Sequence, residues 1–249
     1  MSGKPTGTKC RRIKELAIEA LSPSTLAFIA QVEQTYASLM HSASAYGESH
    51  LGGKLLYAGE LDEPGRMLAI AGNIAGAATL AASADAAALR LAQRNGVIDF
   101  LVNSLDEALR ILKNEIRKRE PVAVAVSVAP AAIVAEMVER GVLPDLLPAH
   151  TRPDSEGFLA QGAQRIAAPP ARPGSRFLIW PIPAEYAQRP AAFDELLLEH
   201  LPEEDQLARR WLRLSPRYLG PQFRRLRSLR CDDEVASKLI EVLGSPLQS

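Results

Sequence analysis

The segment that most limits what this chain can become is Pro121-Val-Ala-Val-Ala-Val-Ser-Val128, a run of valines and alanines without a charge. Its length is that of a strand, and its uniform apolarity suits a strand buried on both faces, as in a parallel sheet. Such a strand needs helices over both faces, and the flanking sequence supplies them. Ser104-Leu-Asp-Glu107 is a capping box, with serine at the N-cap and glutamate three positions on. Behind it Leu105, Ala108, Leu109, Leu112 and Ile116 share one helical face, and Lys113, Arg117, Lys118 and Arg119 crowd the end, where they suit the helix dipole. Ala131 to Arg140 reads as a second helix, stopped by Gly141 with Pro144 beyond, and Leu143 to Leu147 as a further short strand. Alternating strands and helices of this kind predict an α/β fold built from βαβ units.

Upstream, residues 1–9 read as a tail and Arg11 to Leu21 as a short helix with Ile13, Leu16, Ala17, Ala20 and Leu21 on one face. Ser22-Pro-Ser-Thr25 breaks it and opens a helix to about Met40, with Leu26, Ile29, Ala30, Val32 and Tyr36 inward. Lys54 to Ala58 is of strand length, and Asp62-Glu-Pro-Gly65 is turn-like. Twelve of the 24 residues from Ala69 to Ala92 are alanine, so propensity alone predicts one or two helices there. A strand near Ala78 to Ala84 would have to be imposed by tertiary context. Asp85 would then cap a helix to Asn95, with Gly96 as its stop. Downstream, Ala167 to Gly174 is rich in proline and reads as a linker. Phe177 to Trp180 is a strand, Phe193 to Leu201 an acidic helix, and Gln206 to Arg230 carries eight arginines and no acid. The division predicted is an extension over 1–23, an α/β domain over 24–168 and a mainly helical C-terminal α/β segment over 169–249.

Composition excludes several functions. Lys plus Arg and Asp plus Glu are both 29, so there is no chain-wide electrostatic case for nucleic acid or a membrane surface. No stretch of 18 uncharged apolar residues exists, and the basic N-terminus has no apolar run behind it, so a cytoplasmic protein without a membrane span is expected. Two cysteines, Cys10 and Cys231, and four dispersed histidines give no metal-ligand spacing.

Several stretches, in order, resemble one family. They are Gly53-Lys-Leu-Leu-Tyr-Ala-Gly59, Asn73-Ile-Ala-Gly76, Leu105-Asp-Glu-Ala-Leu109, Ala131 to Asp145 with Arg140-Gly-Val142 and Pro144-Asp145, and Gly157-Phe-Leu159. Residues from about 25 to 162 resemble the nucleotide-binding domain of urocanase (urocanate hydratase), the NAD-dependent lyase of histidine catabolism. The resemblance implies a Rossmann-like parallel sheet with helices on both faces, and NAD as cofactor. It places the cofactor near Gly65, Arg66, Ser83, Asp85, His150, Thr151 and Phe158.

The residues at those places depart from the family. Its glycine-rich turn, Gly-Gly-Met-Gly-Gly-Ala-Gln-Pro, reads Asp62-Glu-Pro-Gly-Arg-Met-Leu-Ala69, with one glycine, two carboxylates and a proline that lacks a donor. Ser83 replaces the acid that would hold the ribose, Ala88 an arginine, and Ala129-Pro130 an Asn-Ala pair. The catalytic cysteine region has no counterpart, since Cys231 sits in Leu229-Arg-Cys-Asp-Asp233. Three functions follow. One is a urocanase-like domain with a degenerate cofactor site, a pseudoenzyme that keeps a small-molecule or nucleotide pocket. Another is an NAD-dependent lyase acting with a partner chain. The third is an interaction module using the arginine-rich C-terminal surface. That surface offers Trp211, Tyr218 and Phe223 as stacking platforms, and its alternative is charge pairing with Asp194, Glu195, Glu199, Glu203, Glu204 and Asp205, within the chain or across a homodimer.

Overall fold

A computed structural model describes residues 23–149 and 156–247. The readings made for the tail, for the helix from Arg11 to Leu21, and for Cys10, His150 and Thr151 lie outside the described residues.

Six strands form one parallel sheet: β1 (Leu55–Glu60), β2 (Ala78–Ala82), β3 (Phe100–Val102), β4 (Val122–Val126), β5 (Leu146–Leu147) and β6 (Gln164–Arg165), in the order β3-β4-β2-β1-β5-β6. The order runs outward from β1 in both directions, which gives the Rossmann-like arrangement with β3 added outside β4. Helix α1 (Pro23–Ala45) precedes the sheet, and α2 (Glu63–Ala75), α3 (Ala86–Arg94), α4 (Leu105–Lys118), α5 (Pro130–Glu139) and α6 (Glu156–Ala160) lie between its strands.

The alternation inside β4 sorts bulk between the faces. Val122, Val124 and Val126 join Leu55, Tyr57, Leu80, Leu105, Leu112, Ile133 and Phe158 in the core beneath α4, α5 and α6. Ala123 and Ala125 point the other way, with Ala81 and Leu56, toward α1, α2 and α3. Small side chains on that face let α2 lie close to the sheet. A Cβ on Gly72 would come within 2.6 Å of Thr79 Oγ1 and 3.0 Å of Leu56 Cδ2. From Leu68 to Ala75 every residue of α2 is buried, as expected of a helix apolar on all sides. The β2 strand is the tertiary override of helix propensity: Ala78–Ala82 pairs with β1 on one side and β4 on the other.

Local signals place the helix ends. Asp85 accepts from Ala87 N and Ala88 N at 2.8 and 3.1 Å, and Gly96 follows α3 with φ +71°. Glu107 N donates to Ser104 Oγ at 3.3 Å, while the Glu107 carboxylate reaches one residue further back than the capping box requires and accepts from Asn103 N at 2.9 Å.

The chain after residue 170 makes a second, smaller sheet. Strand β7 (Ser175–Pro181) pairs antiparallel with β8 (Leu226–Asp232). Around it pack α7 (Pro190–Glu199), α8 (Gln206–Tyr218) and α9 (Asp233–Leu243). This assembly covers the α1–α2 layer. Trp211 lies 5.4 Å from Tyr36, ring centre to ring centre, and is 1% exposed. Tyr36 Oη donates to Leu207 O at 3.0 Å, and Arg210 Nε donates to Ile74 O at 2.7 Å, at the end of α2. Among the described residues no helix is long and apolar enough to cross a membrane.

Candidate functional site

In open α/β sheets ligands bind outside the carboxyl ends of the strands, where the strand order reverses. Here that place lies at the ends of β1 and β5, and the first helix N-terminus beside it is that of α2. Asp62 has extended backbone dihedrals and caps this helix, accepting from Gly65 N at 3.0 Å. Arg66 N donates to Asp62 O at 2.9 Å, which closes the first helical turn. Gly65 is fixed by the chain's own backbone: a Cβ there would stand 1.9 Å from Glu60 O. The loop is tied to the next strand by Leu61 N donating to Ala82 O at 3.0 Å.

The β2–α3 turn stands alongside. Ser83 is 2% exposed; its N–H donates to Val126 O at 3.1 Å, and its hydroxyl accepts from Asp85 N at 3.2 Å. The Asp85 carboxylate is engaged by the two N–H groups of α3 described above. After β4, Ala129 and Pro130 start α5 with no side-chain cap. Gly65, Arg66, Ser83 and Asp85 are thus brought to one edge of the sheet. Phe158 is not among them. It is 1% exposed on the opposite face, edge-on to Tyr57 at 6.2 Å.

A family model for the urocanase Rossmann-like domain matches residues 31–164, just over half of the chain. The chain belongs to the urocanase family. The match ends before β7, so the second sheet and its helices lie outside it.

The family implies NAD, and the urocanase domain described here does not fit its pyrophosphate at the α2 turn. A helix N-terminus holds an anion through unsatisfied N–H groups and a positive dipole. In this domain Gly65 N is taken by Asp62, Pro64 has no N–H, and Glu63 adds a second carboxylate. Like charges at this helix end repel an anion, against which the turn sets the helix dipole and the Arg66 guanidinium.

Four of the eight arginines between Gln206 and Arg230 are used inside the fold: Arg209, Arg210, Arg227 and Arg230. Arg227 is 5% exposed and pairs with Asp194 through Nε and, at 3.1 Å, through Nη2. Arg230 pairs with Glu33 at 2.8 Å. Arg209 donates to Leu198 O and Leu201 O, both at 2.9 Å. Of the pairings expected with the acidic stretch, Arg227–Asp194 forms within the chain; Asp205 is met instead by Arg172 at 3.8 Å. Trp211, Tyr218 and Phe223 are buried in the core. Burial holds Cys231 unreactive: its thiol is 1% exposed and pushed up to about 11.

Sequence reasoning did not foresee a cavity of about 620 Å³ between α1, α2 and the segment from Leu219 to Leu226. Arg66 and Arg225 both line it. Arg66 belongs to the expected cofactor turn and Arg225 to the arginine-rich stretch from Gln206 to Arg230, and no local pattern joins positions so far apart.

Proposed function

We propose that this urocanase-family domain has left the NAD-dependent hydration of urocanate and serves as a small-molecule-binding protein. The observation that carries this reading is the Asp62 carboxylate on the N-terminus of α2, at the turn where the family would hold a pyrophosphate. A fold carries a function only through its site, and Ser83, Asp85 and Gly65 are all engaged in local structure. Calorimetric titration with NAD tests the reading, together with the absorbance of urocanate incubated with NAD and protein. The expected results are no micromolar affinity and no loss of the urocanate band above background. A micromolar or tighter NAD complex, or NAD retained through purification, would overturn the reading in favour of a lyase that completes its site with a partner chain.

A further inference from the structure

The cavity beside α2 is walled in part by stretches of the chain that the family model does not cover. Phe28, near the start of α1, stacks on Phe223 at 5.7 Å with the rings 8° from parallel. With Ile70 and Leu226 they make an apolar wall, and Arg66 and Arg225 stand on the same cavity. Neither guanidinium has a hydrogen-bond or ion-pair partner among the described residues, in contrast to Arg209, Arg210, Arg227 and Arg230. Glu63 also lines the cavity, so two cations and one anion leave a net single positive charge. A volume of about 620 Å³ lies within the range of small-molecule sites, roughly 300–1,000 Å³. Apolar walls with a few charged groups are what such sites present.

We propose that this cavity binds an amphipathic organic monoanion, its apolar body against Phe28, Phe223, Ile70 and Leu226 and its carboxylate against Arg66 and Arg225. A single net positive charge favours one carboxylate over a phosphate ester or a nucleotide, whose extra charges would meet Glu63. The site belongs to the junction between the family domain and its C-terminal addition, and neither Ser83 nor Asp85 lines it. The proposal rests on the reading of the chain as a binding protein, but the two fail separately: NAD binding would overturn that reading, and the comparison of a carboxylate with its neutral amide tests the cavity alone.

The test uses 2-naphthoate as probe and the full chain, by calorimetry. The expected result is saturable one-to-one binding, with the neutral isostere 2-naphthamide weaker by about tenfold or more, the worth of a charge-assisted hydrogen bond. The double variant Arg66→Gln, Arg225→Gln should weaken 2-naphthoate by a similar factor and leave 2-naphthamide unchanged. Neither side chain holds another residue, so the melting temperature should stay put, and the comparison of acid with amide on the unaltered chain does not depend on the variant. Absence of saturable binding at millimolar probe, equal affinity for acid and amide, or undiminished affinity in a folded double variant would each overturn the proposal.

Discussion

Replacing Gly65 with alanine should be among the most damaging single-methyl additions this chain can receive. A Cβ at Gly65 would stand 1.9 Å from Glu60 O, where real Cβ contacts essentially never fall below 3.0 Å. About 1.1 Å of movement is needed, and the obstacle is backbone. Glu60 is the last residue of β1, paired with Ala82, and Leu61 is bonded to Ala82 O, so the strand end cannot yield without disturbing β2. Overpacking of this kind costs about 1–3 kcal/mol or more. For a chain of this size each kcal/mol lowers the melting temperature by roughly 2–4 °C, so a fall of about 6–12 °C is expected at the upper end. Gly157→Ala is the internal control. Its nearest neighbour, Val138 Cγ2, lies at 3.8 Å, an ordinary contact, and the site is helical. Alanine there should gain about 0.4–1 kcal/mol from the reduced entropy of the unfolded chain. Differential scanning calorimetry on both variants decides the matter. If Gly65→Ala melted with the parent chain, the backbone contact would not be what fixes this glycine, and the argument that the α2 turn is built for its own strand would fail.

Removing residues 169–249 should leave α1 and α2 with an exposed apolar face where Trp211, Phe223 and Leu219 now sit. Each buried Leu or Phe contributes about 1.5–3 kcal/mol, so the shortened chain should be insoluble or melt far below the parent; a soluble product with an unchanged melting temperature would refute this. Burial raises the Glu33 carboxyl above its usual 4.5 despite the opposing charge of Arg230. The folded chain therefore holds this proton to higher pH than the unfolded one, so the stabilisation is full below about pH 4.5 and is lost as pH rises through the folded value. Glu33→Gln should accordingly improve relative to the parent as pH is raised from 4 to 7 in urea unfolding; a difference independent of pH would contradict it. In a Cys10→Ser chain, Cys231 should resist alkylation at pH 8 until denaturant is added, and prompt labelling of the native protein, followed by mass spectrometry, would show the burial argument wrong.

What could be read in the sequence was whatever local chemistry decides. The strand around Val122–Val126 followed from uncharged β-branched residues, and the starts of α3 and α4 from Asp85 and Ser104, whose side chains bond their own helices. Ala78–Ala82 resisted because alanine favours helix, and only pairing between β1 and β4 makes it a strand. β8 was hidden among arginines, since Arg227 and Arg230 become strand residues only by meeting Asp194 and Glu33 from distant elements. The family and its parallel sheet were legible from ordered short motifs. The cavity was not, because Phe28, Arg66 and Arg225 come together only when the two ends of the chain dock.

That docking fixes the order in which the protein can be completed during synthesis. Helix α1 is among the first described elements to leave the ribosome, but Tyr36 bonds to Leu207, 171 positions later. At roughly 5–20 residues per second, translation separates the two by about ten to thirty seconds. Once β6 has been made, the sheet has its later helices while Tyr36, Glu33 and the outer face of α2 wait for partners not yet made. The nascent chain therefore passes through a species with one finished face and one apolar face, the kind of intermediate on which chaperones act.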